Sequence, residues 1–176
     1  LAHRGPDDKG TEFLKMSNGV LGLGHRRLSI IDLSPSGRQP MQSTDGRYSL
    51  VFNGEIYNYR ELRDDLRSHG FEFTSNSDTE VLLCAWSYWR EDCLSRLKGM
   101  FAFAVFDREK ETLVCVRDSF GIKPFYYSLN EKGFFFSSEL PALHHLLDQK
   151  NQLNLQRAYD FLVFDSYDDS ESTFTK

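Results

Sequence analysis

The segment Tyr48-Ser49-Leu50-Val51-Phe52-Asn53-Gly54-Glu55-Ile56-Tyr57-Asn58-Tyr59 decides how the chain is to be read. Its first five residues form an apolar, strand-like run. Its last lead into a helix whose apolar positions Tyr59, Leu62 and Leu66 recur at spacings of three and four before Gly70 ends it. Between them, Asn53-Gly54 admits two readings. Asn-Gly is the commonest two-residue hairpin turn, and the chain is expected to use it that way at Asn18-Gly19, between 13–16 and 20–23. Equally, an Asn side-chain amide beside a Gly backbone N–H gives two adjacent donors, the minimum for stabilising the oxyanion formed when an amide carbonyl is attacked. Taken alone, the dipeptide favours the turn.

Moving outward, the first quarter is rich in turn residues, and Gly22 and Gly24 within a strand suggest close backbone approach. Arg27-Leu28-Ser29-Ile30-Ile31-Asp32 alternates polar and apolar residues and predicts an edge strand with Arg27 and Ser29 on one face. Ser77-Asp78-Thr79-Glu80 reads as a capping box, with Ser77 accepting from the Glu80 N–H, ahead of a helix carrying Val81, Ala85, Tyr88 and Trp89 on one face. Asp78 in that first turn would complement the helix dipole. Apolar runs at 100–106 and 112–116, then at 125–128 and 133–137, predict two antiparallel hairpins. Their apolar residues fall on both faces, so the sheet is expected to be covered on both sides, giving an α+β fold built as a four-layer α/β/β/α sandwich.

Composition narrows the function. In 176 residues, 40% are hydrophobic and 14% aromatic, enough for one sizeable core. A net charge of −5 without a basic run argues against a nucleic-acid partner, and no stretch approaches the roughly 20 apolar residues of a membrane span, so a cytoplasmic protein is expected. Cys84, Cys93 and Cys115 lie in or beside apolar segments without metal-ligand spacing and read as buried thiols. His144-His145 reads as a solvated helix face. There is no internal repeat, and Gly22-Leu23-Gly24 lacks the third glycine of a phosphate loop.

Hydrolysing an amino-acid amide needs a nucleophile, an oxyanion hole, a cation for the carboxylate and an anion for the ammonium. Asn53 and Gly54 can supply the hole, Arg27 the bidentate cation, and Glu55 or Asp78 the anion.

Six ordered segments then carry a resemblance: His3-Arg4-Gly5-Pro6-Asp7, Arg27-Leu28-Ser29-Ile30-Ile31-Asp32, Asn53-Gly54-Glu55-Ile56-Tyr57-Asn58, Ser77-Asp78-Thr79-Glu80, Gly99-Met100-Phe101-Ala102-Phe103 and Arg117-Asp118-Ser119-Phe120-Gly121-Ile122-Lys123-Pro124. Their order resembles class II glutamine amidotransferase domains, most of all those of the glutamine-hydrolysing asparagine synthetases. The resemblance reverses the preference at Asn53-Gly54 and implies an N-terminal nucleophile hydrolase fold of two antiparallel sheets between helical layers. It also implies that Arg27, with backbone near Leu28 and Ile30, binds the glutamine α-carboxylate. Glu55 and Asp78 would hold the ammonium end, and Asn53 and Gly54 would form the oxyanion hole.

The family's nucleophile is a processed N-terminal Cys using its own α-amine as base. That residue would lie upstream of Leu1. The chain, which opens in mid-motif, is therefore expected to be N-terminally truncated, to lack the first strand and to be inactive as it stands. Residues 1–150 would be the glutaminase domain, and 151–176 a helix and acidic arm leading to an absent ATP-dependent synthetase domain. No cofactor is expected in the glutaminase part; ATP and Mg would belong to the synthetase domain. Expected partners are glutamine and that second domain, with a homodimer left open. The intact parent would amidate aspartate to asparagine. The alternatives are another carboxylate acceptor, such as a sugar acid, or a non-catalytic domain of the same fold that binds amino acids or proteins.

Overall fold

The strand β4 (Tyr48–Ile56) runs without interruption through Asn53-Gly54 and pairs antiparallel with β5 (Gly99–Asp107), from Tyr48 opposite Asp107 to Ile56 opposite Gly99. Asn53-Gly54 is therefore strand, not turn. Ending the strand at Phe52 would release Ile56 and Phe101 from the core, about 1.5–3 kcal/mol each. Keeping a glycine in a strand interior costs only about 0.5–1 kcal/mol. Gly54 is also required there, because a Cβ would collide with the Met100 carbonyl and lie 2.7 Å from the Phe101 Cα.

The computed structural model describes residues 1–29, 31–32, 34–147 and 154–165, in two compact units, Leu1–Phe125 and Tyr126–Lys176. In the first unit a four-stranded antiparallel sheet has the order β3 (Met41–Gln42), β4, β5, β6 (Thr112–Arg117). Tyr48, Leu50, Phe52 and Ile56 of β4 and Phe101, Phe103 and Val105 of β5 point to one face. There they form a single core with α1 (Tyr59–Ser68) and α2 (Asp78–Trp89) through Leu62, Leu66, Val81, Leu82 and Trp86. A hairpin of β1 (Asp8–Met16) and β2 (Gly19–Arg27) serves the other face. There Arg108 donates both to Ser49 Oγ of β4, at 3.1 Å, and to Glu12 Oε1 of β1, at 2.6 Å. β5 is buried from Phe101 to Asp107, as expected of a strand covered on both sides.

Four local expectations are corrected. The first hairpin turns on Ser17-Asn18, with Gly19 already paired to Met16; the Glu111 carboxylate takes the Ser17 N–H and hydroxyl and so draws Ser17 out of the ladder. Gly22 and Gly24 face outward, where no backbone presses on them. The strand expected over 27–32 stops at Arg27, because its guanidinium folds back onto the carbonyls of Ser34 and Asp32 and draws the chain into a loop. Ile30 lies outside the described residues. Finally, Ser77 caps α2 by accepting from Thr79 N at 3.1 Å, while the Glu80 carboxylate is occupied by the N–H and hydroxyl groups of Thr74 and Ser75.

The second unit contains the hairpin β7 (Tyr126–Asn130) and β8 (Gly133–Ser137), with α3 (Leu140–Leu147) packed on it, and α4 (Leu155–Phe164). His144 and His145 lie in α3. Within this unit β7 leaves Tyr127 and Leu129 exposed. The acidic arm beyond Asp165 lies outside the described residues. No helix among them is long and apolar enough to cross a membrane.

Candidate active site

The edge of β4 that faces away from β5 organises the site. Tyr57 donates to Lys98 O across the β4–β5 ladder, so Val51, Asn53 and Glu55 direct their backbone groups to β5, while Phe52, Gly54 and Ile56 direct theirs to the opposite edge. β3 covers that edge only up to Leu50. Beyond it, side chains replace a neighbouring strand. Gln39 Oε1 accepts from Phe52 N at 2.6 Å, His25 Nε2 lies 3.0 Å from Phe52 O, and Asp78 Oδ2 accepts from Ile56 N at 3.0 Å. The Gly54 N–H, between these ties, donates to no side-chain or loop group among the described residues.

The Asn53 side chain projects on the face opposite the helices. Its Nδ2 is buried and meets no acceptor in the structure. A buried donor left unmade costs about 1–3 kcal/mol, so a buried amide without an acceptor among the described residues, beside an N–H that no side-chain or loop group takes there, marks a place prepared for an acceptor. The Glu55 side chain, on the same face, forms no hydrogen bond or ion pair among the described residues. Asp78 begins α2 and is buried; desolvation raises its pKa against three backbone N–H donors, and the nearby Glu55 charge raises it further. The fold thus brings Asn53, Gly54, Glu55 and Asp78 together at one end of β4, and Asp78 does more there than complement a dipole.

Arg27 ends β2. It is 8% exposed, donates through Nη1 to Ser34 O at 2.7 Å and through Nη2 to Asp32 O, and abuts Gly37, where a Cβ would strike the guanidinium. The loop it holds is tied to the entrance of α2, since Asp32 Oδ2 accepts from Asn76 N at 2.9 Å. Leu28 follows directly with its side chain exposed. A guanidinium has five N–H donors, so three remain after the two loop carbonyls.

Sequence reasoning passed over Gln39 and His25. Their partners are backbone groups of a strand far along the chain, which local motifs do not reveal. The signal available for His25 was period-two alternation in β2, where Leu21, Leu23, His25 and Arg27 share one face. The Arg117–Pro124 motif also acquires a physical meaning. Asp118 accepts from the N–H groups of Phe101, Phe120, Ile122 and Lys123, and burial, which would raise its pKa, is outweighed by these donors. Because Phe101 is the partner of Gly54 across the ladder, this loop braces the far side of the β4–β5 pair.

The cysteines stand apart. Burial pushes the thiols of Cys84 and Cys93 up to about 12 and that of Cys115 up to about 11, so none is an activated nucleophile. The reading as buried thiols holds for Cys93, which lies in the core, whereas Cys84 and Cys115 are half-buried.

Comparison with known proteins places the whole of this geometry in context. A family model described as glutamine amidotransferase domain matches residues 1–176. The chain belongs to the glutamine amidotransferase domain family. The domain is 44% identical over 143 residues to asparagine synthetase [glutamine-hydrolyzing] 1 of Bacillus subtilis, covering 81% of the chain and 22% of that protein. It is 44% identical over 154 residues to a putative asparagine synthetase [glutamine-hydrolyzing] of Mycobacterium tuberculosis, covering 84% and 24%. Amidase chry2 of Gibberella zeae is 40% identical over 142 residues, covering 81% and 21%. The domain thus spans about a fifth to a quarter of the length of these relatives. Among solved structures, glutamine phosphoribosylpyrophosphate amidotransferase from B. subtilis superposes with a TM-score of 0.61 at 24% identity, covering 72% of this chain and 29% of that one. That likeness bears out the expected fold, an antiparallel α+β N-terminal nucleophile hydrolase.

Proposed function

We propose that the domain hydrolyses the side-chain amide of glutamine and that its parent passes the ammonia to an acceptor carboxylate. The observation that carries this reading is the pair of unused donors at the open end of β4, the buried Asn53 Nδ2 and the Gly54 N–H. As the amide carbon becomes tetrahedral, its oxygen takes up negative charge, and two preorganised donors in a dry site stabilise that charge far more than water would. The free donors of Arg27, with backbone near Leu28, would hold the α-carboxylate. Glu55 and Asp78 would receive the ammonium, whose arrival offsets both the desolvation of Asp78 and its repulsion from Glu55. The attacking thiolate would come from an N-terminal Cys of the parent, since desolvation raises the pKa of all three described thiols and keeps them protonated at neutral pH.

The relatives named asparagine synthetase support aspartate as the acceptor, activated by ATP and Mg in another part of the parent. A second acceptor class is kept in view because a relative named as an amidase is nearly as similar to this domain. The test is glutamate release from glutamine by the parent polypeptide carrying its native, processed N-terminus. Release dependent on that N-terminal residue supports the reading. A folded parent that binds glutamine but releases no glutamate would return the domain to the amino-acid-binding alternative.

A further inference from the structure

Phe52 immediately precedes the oxyanion pair, and both of its backbone groups face an edge with no strand beside it. The N–H is held by Gln39, which is 6% exposed and whose Nε2 continues to Thr79 Oγ1 of α2 at 3.4 Å. The carbonyl is met by His25 Nε2, at 3.0 Å. A carbonyl can only accept, so Nε2 must carry the proton in this contact. His25 Nδ1 is buried with no partner among the described residues, and protonating it would place a charged N–H there without an acceptor, which favours the neutral ring. Burial lowers the His25 pKa, against the hydrogen bond to Phe52, and the neighbouring Arg27 lowers it further. His25 therefore stays the Nε2–H tautomer, a fixed neutral donor.

From this geometry we propose that His25 is a positioning residue for amide hydrolysis: its Nε2–H, holding the Phe52 carbonyl, orients the Phe52–Asn53 peptide and thereby aims the Asn53 amide and Gly54 N–H at one point. The proposal rests on the glutaminase reading above. It assigns His25 no contact with substrate. The carboxylate clamp is anchored separately, since Arg27 is fixed by the Ser34 and Asp32 carbonyls and its own carbonyl accepts from Asp7 N at 3.1 Å. Loss of the His25 bond should therefore act on turnover and not on glutamine binding.

Two substitutions separate positioning from simple packing. His25→Phe keeps a ring of similar size and removes the donor, whereas His25→Gln keeps an N–H donor that can reach the carbonyl. In the parent polypeptide, His25→Phe is expected to lower kcat about tenfold with the KM for glutamine within twofold, and His25→Gln is expected to recover most of the rate. A kcat within twofold of wild type in His25→Phe overturns the proposal, as does a failure of His25→Gln to recover while its melting temperature matches that of His25→Phe. The second measurement uses the 176-residue chain and needs no turnover. By nuclear magnetic resonance, the Gly54 amide and the Asn53 side-chain amide should shift and exchange faster in His25→Phe and remain near wild type in His25→Gln. If the wild-type parent hydrolyses no glutamine, the functional reading falls by itself, and unchanged Asn53 and Gly54 signals in His25→Phe would sink the positioning role independently.

Discussion

The two halves of β4 solve the same backbone problem in different ways. At Ser49 and Leu50 the strand is flanked on both edges, by β3 and by β5, and is held by the main-chain ladder; only at its very start does a side chain intervene, where Tyr48 N donates to Ser43 Oγ at 2.8 Å. From Phe52 to Ile56 one edge has lost its neighbour, and Gln39, His25 and Asp78 take the exposed groups one at a time, passing over Gly54. A fully paired strand has no donor to offer a ligand, and a fully open edge invites another strand. Selective side-chain coverage leaves a single N–H available in a rigid frame. The lesson is that the sheet's regularity supplies the precision, and its interruption supplies the chemistry.

The comparison can be broken most severely at the open end. Asn53→Ala in the parent is expected to reduce glutamine turnover by on the order of a hundredfold or more, with circular dichroism and melting temperature close to wild type, as loss of one oxyanion donor predicts. An unchanged rate would reduce Asn53 to an ordinary strand residue. Gly54→Ala should remove turnover together with stability. Its Cβ cannot be placed without moving Met100 or Phe101, and overpacking of this kind costs about 1–3 kcal/mol, a fall of several degrees in melting temperature.

Asp78→Asn sharpens the contrast because its two effects have opposite signs. The amide oxygen can still accept from Ile56 N, but the desolvated charge is gone. We expect about a tenfold weaker apparent affinity for glutamine, as a charge-assisted contact is lost, and a higher melting temperature at pH 7. The sign follows from linkage. A carboxyl whose folded pKa is raised binds more protons in the folded state, so stability is lost as pH climbs from the ordinary value, about 3.9, through the raised one. The variant's advantage should therefore vanish below about pH 4 and be full at neutrality; an advantage that persists in acid would contradict it. The smallest effect belongs to the covered end. Gln42→Ala removes an exposed contact of β3 with Glu12 and should change stability by no more than about 0.5 kcal/mol with turnover intact.

Much of this frame was legible in the sequence. Period-two and period-three-to-four patterns locate β4, β5, β6, α1 and α2, because burial dictates those spacings directly. The site residues Arg27, Asn53, Gly54, Glu55 and Asp78 are legible only through six motifs in order, since each residue alone has a commoner structural use. What failed had a common cause. Arg27 to Asp32 looks like a strand as long as the Arg27 side chain is ignored, and that side chain sets the path of the loop by gripping its carbonyls. Gln39 and His25 have meaning only once Phe52 is beside them, and local pattern carries no information about that pairing.

The pairing of β4 with β5 also has a temporal side. The β1–β2 hairpin closes over two residues, but β4 meets β5 only after residues 57–98, with both helices, have been made and folded between them. Closing a long loop costs entropy that is recovered only when the far strand docks. A chain still emerging from the ribosome would therefore have β4 without its β5 partner until Asp107 is free, held at one end by the short β3 and sheltered on its apolar face by α1 and α2. The strand that carries Asn53 and Gly54 thus waits for its main partner until β5 is made, and polypeptides ending before β5 should expose it to aggregation and proteolysis.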